Sequence, residues 1–462
     1  MLAIAFTALA LGTVEAWSIA IFELIVIFLL LFWAAKAVLE KHLAIKTPAA
    51  ALSLGGLVLL GLTQSIAIPS NEGRINSLSM DVEATRAAVA VIFFLFVCFL
   101  IAANFFTSPE RLRMLANFLI VFGLVLAVFA LIQHFTWEGR LFWFRPAPTA
   151  GAGTGGPFIN RNHFAGYMEM LIPIPIALSL SRAARGEARL FYGFAAAIMG
   201  IAEAASLSRG GIVSLIAALL FVAAFSTRRT RGWRIEDRGL RIEDRRSKNE
   251  ERGSEGYAAA NAQSSILDPP SSILHPRSSI LSLRSSILVL LIAGAIVAGI
   301  FWVGADSGLA ERLVDSQFDS SPYSRASMSA DTFRMFSAHP ITGVGLGAFQ
   351  TVYPIYDHGN GSILIEFAHN DYVQTLADGG IVAGALAVWF IIATFRDFFR
   401  GLRMRDPLRR GLALGAGAGV FAILVHSLFD FNLQLPSNAL VFLVLSAMVS
   451  IVASNDLVGS RQ

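Results

Sequence analysis

Long uncharged apolar runs constrain this chain more than any other feature. Leu24–Ala35, Ala87–Ala103, Ile212–Phe225 and Val289–Val303 contain no Asp, Glu, Lys or Arg. With their flanks, each reaches the ~20 mainly apolar residues that a helix needs to cross a bilayer. Lipid offers no partner to backbone N–H and C=O groups, so such runs must satisfy them internally as helices. Of 462 residues, 55% are hydrophobic and only 15% charged, against about 25% charged in a soluble chain. The expected fold class is all-α, a polytopic transmembrane helical bundle of about 12 spans with a large extracytoplasmic loop carrying short helices.

Span centres fall near Ala8, Ile27, Gly56, Ile92, Val125, Ile172, Ala196, Ala217, Ile296, Val388, Ala418 and Val444. Met1–Ala16 ends in a passable cleavage site but lacks a positively charged start, so it is read as an uncleaved first helix. Basic loops set the orientation. Lys36–Lys46, Arg111–Arg113, Arg182–Arg189, Arg228–Arg252 and Arg396–Arg410 fall on one side if every run is crossed once. Pro69–Glu83, Thr136–His163, Asp306–Asp371 and Asp430–Ser437 fall on the other, so both termini are expected in the cytoplasm. The net charge of +4 sits in these short loops, with no basic face interleaved with exposed aromatics, which argues against nucleic acid as a partner. A single cysteine, Cys98, excludes an intrachain disulfide or thiolate metal site.

Composition divides the chain into N-terminal transmembrane helices (1–226), a low-complexity insert (227–284), a further span (285–305), the large loop (306–371) and C-terminal transmembrane helices (372–462). In the insert, Arg234-Ile-Glu-Asp-Arg238 recurs as Arg241-Ile-Glu-Asp-Arg245, and Ser-Ser-Ile-Leu begins at Ser264, Ser271, Ser278 and Ser285. The seven-residue period suggests a coiled coil, but Pro269, Pro270 and Pro276 would break it. A disordered cytoplasmic segment is the expectation, with lipid-headgroup contact through its arginines as a further role.

The chemistry-bearing residues concentrate in and around the 306–371 loop. A polar loop of about 65 residues between membrane spans is more often functional than connective. It holds Arg325, Arg334, His339, His358 and His369, and the run Gly343-Val-Gly345-Leu-Gly347. No strand–turn–helix unit surrounds that run, so it is read as a tight turn or re-entrant elbow rather than a dinucleotide fingerprint. His369 stands just before an apolar span, beside Asn370 and Asp371, and histidine is the side chain most readily tuned to act as a base near neutral pH. A structural histidine capping the helix is the plain alternative.

Arg209 opens a helix on the expected outer side, against the positive-inside bias. It either snorkels to the surface or offers its planar fork to phosphate. Asn160, Asn162 and His163 follow a Gly/Pro turn at a helix start, where an anion is favoured; the alternative is a turn with an ordinary cap. His426, Asp430, Asn432, Gln434 and Asn438 cluster after another span and either bind sugar hydroxyls or satisfy a helix end. Glu23, Glu169 and Glu203 fall in or near apolar runs, where ionisable groups suggest function, yet they read as scattered rather than paired. No Asp-X-Asp, His-Glu-X-X-His, Walker or nucleophile-elbow pattern is present, so no metal and no cofactor are expected. Arginines can supply the charge stabilisation instead.

Taken in order, these stretches resemble the O-antigen ligase and O-antigen polymerase superfamily of bacterial membrane proteins. The resemblance rests on Gly156–Gly166, Ser208-Arg209-Gly210, Arg325 followed by Asp331–Phe349, Ala368–Gln374 and His426–Asn432, and covers roughly Leu11–Ala453 outside the insert. It implies a multi-pass protein of the bacterial cytoplasmic (inner) membrane with its active site facing the periplasm. The implied activity is transfer of a glycan from an undecaprenyl-pyrophosphate carrier to an acceptor hydroxyl. By similarity, His369 is the general base and Arg209 and Arg325 hold the pyrophosphate. Ser329 stands where many relatives place tryptophan, so Arg334 is kept as a second candidate beside Arg325. Asn160, Asn162, His163, Asn370, His426 and Asp430 are candidate glycan or acceptor contacts. A lipid A core acceptor makes a ligase, ranked first; another lipid-linked glycan makes a polymerase, and a protein serine or threonine an oligosaccharyltransferase. A transporter of lipid-linked sugar would instead show paired ionisable groups near mid-membrane and an internal repeat of spans.

Overall fold

The computed structural model describes residues 1–41, 45–66, 68–69, 75–147, 155–226, 324–359 and 363–454. The expected insert at 227–284 and the span at 285–305 lie outside the described residues. The first half of the chain forms α1 (Leu2–Leu9), α2 (Ala16–Glu40), α3 (Ala49–Gln64), α4 (Val82–Phe105), α5 (Pro109–Phe135), α6 (Arg161–Leu171), α7 (Pro173–Leu180), α8 (Glu187–Ala205) and α9 (Arg209–Ser226). The second half forms α10 (Arg325–Ala338), α11 (Phe349–Val352), α12 (Asp371–Leu402), α13 (Pro407–His426) and α14 (Pro436–Ala453). Two-residue antiparallel pairings, Ile68–Pro69 with Ile75–Asn76 and Arg140–Leu141 with Arg145–Pro146, are the strands among the described residues. The chain is a polytopic helical membrane protein.

Among the described residues nine helices are long and apolar enough to cross a bilayer, counting α6 and α7 as one, and α3 is a shorter apolar helix of 16 residues. One expected span takes a different form. The first span is only eight residues, about 12 Å of helix. It ends where Leu11, Gly12 and Thr13 all adopt left-handed backbone angles, and the Thr13 hydroxyl donates back to the Thr7 carbonyl at 3.1 Å. The span centred on Ile172 contains Pro173 and Pro175, which remove backbone donors. Ile172 keeps helical angles, so α6 and α7 run on as one 20-residue span.

Burial ranks the helices. The apolar windows of α6–α7 and of α14 are 94% buried and that of α13 is 78% buried, whereas α2 reaches 17%. The first three form the centre and α2 lies at the rim. Phe32 and Leu39 on α2 are 73% and 83% exposed, a face that suits hydrocarbon rather than water. At the centre, α13 approaches α6–α7 through small residues: a Cβ at Gly415 would lie 2.7 Å from the Ile174 Cα, and one at Gly419 would lie 2.3 Å from the Met170 carbonyl oxygen. Such close backbone approach is how helices gain dispersion energy in lipid, where the hydrophobic effect does not drive them together.

Helix α12 is broken at Gly380, whose backbone (φ 63°, ψ −164°) is left-handed. The glycine run of the large loop docks on this break. Ile381 N–H donates to the Pro340 carbonyl at 2.8 Å, and Val344 and Gly345 N–H donate to the Ala377 and Asp378 carbonyls at 3.0 Å each. The Gln64 side chain closes the joint, donating to Thr342 O (2.6 Å) and Asp378 O (3.1 Å) and accepting from Leu346 N–H (3.0 Å). The run is therefore an elbow that satisfies a broken helix. Gly380→Ala places a Cβ 2.2 Å from the Ile341 carbonyl oxygen at a positive φ. We expect a loss of about 1–3 kcal/mol, read as a lowered melting temperature in detergent, while Gly193→Ala, inside α8 where an added Cβ meets open space, does not lower it.

Candidate functional site

Helix α12 begins against the end of α13. Asp371 N–H donates to the Ser427 carbonyl at 3.0 Å, and the Asp371 carboxylate accepts from Ser427 Oγ (2.8 Å) and Leu433 N–H (3.1 Å). Asn370 is the N-cap, its side-chain oxygen accepting from Tyr372 and Val373 N–H at 3.0 and 3.2 Å. That cap satisfies the helix start. His369 is thus not the capping residue. It sits one position earlier with φ 50°, and this left-handed turn swings its side chain toward Asp430.

Asp430 is the hub. Its side chain is fully buried and accepts from His369 Nδ1 at 3.1 Å, Asn162 Nδ2 at 2.6 Å, Arg325 Nη2 at 3.4 Å and the Phe431 N–H at 3.0 Å. Burial alone would raise its carboxyl pKa, but the His369 hydrogen bond and the Arg325 charge outweigh it and hold the group well below the usual carboxylate range. Arg325 also donates to the Phe429 carbonyl at 2.8 Å and keeps about half of its side chain exposed. Phe431 packs beside the pair. Its ring stacks on Phe367 (4.3 Å between centroids) and meets the rings of His163 and His369 edge-on at 4.7 and 4.8 Å.

The remaining candidates divide. Asn162 joins the hub, whereas Asn160 is the N-cap of α6, accepting from Asn162 N–H at 2.9 Å. His163 is buried and its Nε2 has no partner among the described residues. Arg334 lies nine positions along α10 from Arg325, about 13 Å away at helical rise. It belongs to a separate group, donating to Asp331 Oδ1 at 2.6 Å beside His358. His426 bonds Glu169 Oε2 through Nδ1 at 3.0 Å. Arg209 is half-buried at the head of α9. The next residue, Gly210, touches His426, since a Cβ there would lie 2.6 Å from the imidazole Nε2.

One of these contacts corrects the reading from sequence. Glu169, taken as an isolated carboxylate, is paired with His426 across 257 residues of chain. Arg334 does not share the hub with Arg325. Phe431 was not singled out at all, although it directly follows Asp430; its role comes from three rings converging on it.

Chemically the hub can orient a base. With Nδ1 directed at the ionised Asp430, the imidazole carries its proton there and leaves Nε2 as the acceptor. The His369 side chain as a whole is 29% exposed. Among the described residues no group of three His, Cys, Asp or Glu side chains is placed to hold a metal ion.

The fold and this cluster define a polytopic helical membrane protein with a carboxylate-oriented histidine and an arginine gathered at one end of the bundle. Residues 194–388 match the family model described as O-antigen ligase. The match supports the O-antigen ligase superfamily for this chain and, at that level, an O-antigen ligase/polymerase-type membrane glycosyltransferase. No curated protein matches the chain. The matched segment contains Arg209, Arg325, Arg334 and His369; Asn162 and Asp430 lie outside it and reach the site through the fold.

Proposed function

We propose that the protein is an O-antigen ligase-like glycosyltransferase. In this reading it moves a glycan from an undecaprenyl-pyrophosphate carrier to a hydroxyl of a lipid A core, on the periplasmic face of the inner membrane and without a metal ion. The single observation that carries the reading is the His369–Asp430 contact within a chain whose middle matches the O-antigen ligase family. His369 Nε2 takes the acceptor hydroxyl proton as the acceptor oxygen bonds the anomeric carbon. The bond from that carbon to the pyrophosphate oxygen breaks, and the lipid pyrophosphate leaves with its charge matched by Arg325 and Arg209. Asp430 keeps the imidazole in the required tautomer.

The test is release of lipid pyrophosphate from a lipid-linked glycan by purified protein in nanodiscs, with chelator present. Lipid A core, a second lipid-linked glycan and a serine-containing peptide are offered separately. Release that requires lipid A core supports the ligase reading; release that requires one of the others names a polymerase or a protein oligosaccharyltransferase instead. Abolition by chelator would overturn metal independence. Arg325→Gln is expected to lower release by about 10²-fold, within the range for losing one charge-stabilising group. Arg334→Gln, which lies in its own ion pair about 13 Å along the helix from Arg325, is expected to change it less than about threefold. Equal losses in both variants would remove the distinction between them.

A further inference from the structure

A second polar site lies at the opposite end of the bundle. The hub stands at the start of α12, whereas Arg396 and Arg400 lie near its end, roughly 40 Å further along at helical rise. Here a cavity of about 320 Å³ is lined by Lys46, Thr47, Arg396, Asp397, Arg400 and Ser450, among others. Three cations face it against one carboxylate. Arg396 donates to Asp397 Oδ1 at 3.1 Å and Arg400 approaches the same oxygen at 3.5 Å, so two guanidinium groups share one negative charge. The Lys46 backbone is pinned to α4, its N–H donating to Asn104 Oδ1 at 2.7 Å and its carbonyl accepting from Asn104 Nδ2 at 3.0 Å. Helix α3 starts at the cavity wall with Pro48 as an N-cap that has no side-chain acceptor, and the positive end of this 16-residue helix adds to the field.

Independent of these charges, Ser450 also lines the cavity. It is 8% exposed, and its buried Oγ has no hydrogen-bond partner among the described residues. Buried hydroxyls ordinarily find one. Beyond the lining, α3 and α12 carry exposed apolar residues along the same helices. Ile392, four positions before Arg396 and on the same helical face, is 61% exposed, and Leu52, three positions after Ala49, is 57% exposed. An anion-seeking rim above an exposed apolar wall matches an amphiphile rather than a free ion.

We infer that this cavity binds the phosphate-bearing headgroup of an anionic phospholipid, with the acyl chains lying along the Ile392 and Leu52 faces. On the sidedness expected from loop charge, this end faces the cytoplasm, where anionic headgroups recruit clustered Lys and Arg. The site is separate from the hub and does not depend on the proposed transfer reaction.

The experiment uses full-length protein in phosphatidylcholine nanodiscs, titrated with phosphatidylglycerol or, separately, with millimolar inorganic phosphate. Retained lipid is counted by native mass spectrometry after mild extraction. Wild-type protein is expected to retain phosphatidylglycerol in preference to phosphatidylcholine, and phosphate should not displace it. The double variant Arg396→Gln/Arg400→Gln is expected to retain about tenfold less. Lys46→Gln, which leaves the Asp397 pairs untouched, should move in the same direction and keeps the test open if the double variant misfolds. Arg403→Gln, at the same end but outside the cavity lining, should match wild type. Undiminished retention in the cavity variants, an equal loss in Arg403→Gln, or displacement by inorganic phosphate would each overturn the assignment.

Discussion

Replacing His369 with alanine is expected to lower glycan transfer by about 10²- to 10⁴-fold, the range for losing a positioned general base. That loss corresponds to about 2.7–5.5 kcal/mol of transition-state stabilisation. Binding of the lipid-pyrophosphate donor should be nearly unchanged, because the donor's charge is met by arginines and the imidazole acts on the acceptor. The helix start should also survive, since Asn370 and not His369 caps α12. Donor binding by fluorescence and turnover by lipid-pyrophosphate release, measured on the same preparation, separate the two effects. Unchanged transfer in His369→Ala would sink the catalytic assignment, and lost donor binding would reassign His369 to the donor site.

Asp430→Asn is the second large effect. Asparagine keeps the shape but removes the charge, and its NH₂ must face one of the donors that now converge on the carboxylate: His369 Nδ1, Asn162 Nδ2, Arg325 Nη2 and Phe431 N–H. The imidazole then loses the acceptor that holds its proton on Nδ1. Transfer should fall by about 10²- to 10⁴-fold, as when a histidine's orienting carboxylate is neutralised elsewhere. Asp430→Ala goes further, leaving the Asn162 Nδ2 and Phe431 N–H donors without their acceptor, and should cost about 1–3 kcal/mol of stability. The pH dependence has a definite sign. The folded carboxyl titrates below its unfolded value near ~3.9, so its stabilisation is present above that pH and is lost as pH falls further. Melting temperatures followed between pH 3 and 7 should show this acid-side loss in the wild type and a smaller one in Asp430→Asn. Identical acid profiles would mean that Asp430 is not held by these partners.

Much of the architecture was legible without coordinates. Apolar runs such as Ala87–Ala103 and Ile212–Phe225 determine helices locally, because each residue's backbone must find its partner within the same segment once water is absent. Pro173 and Pro175 were visible too, but their consequence was not. Whether a proline breaks a span depends on what its neighbours supply, and here Ile172 holds helical angles through it. The glycine run was legible as a turn; that it docks on a broken helix at Gly380 was not, since the freed amides of α12 are satisfied by a segment some forty residues away.

The site divides in the same way. The sequence by itself determined the residue types: a histidine beside an N-cap asparagine, arginines at helix starts, and polar residues after α13. Only the tertiary structure decided which of them meet. Asn162 and Asp430 are 268 residues apart and touch at 2.6 Å; Glu169 and His426 are 257 apart and touch at 3.0 Å. Arg325 and Arg334 lie on one short helix, yet Arg325 reaches the hub and Arg334 pairs with Asp331. Helix formation in lipid is a local demand that each segment meets alone, so it is written along the chain. Side-chain partnership depends on which helix ends are packed together, and that is settled by the small-residue contacts of α13 with α6–α7 and by the loop that returns between α13 and α14.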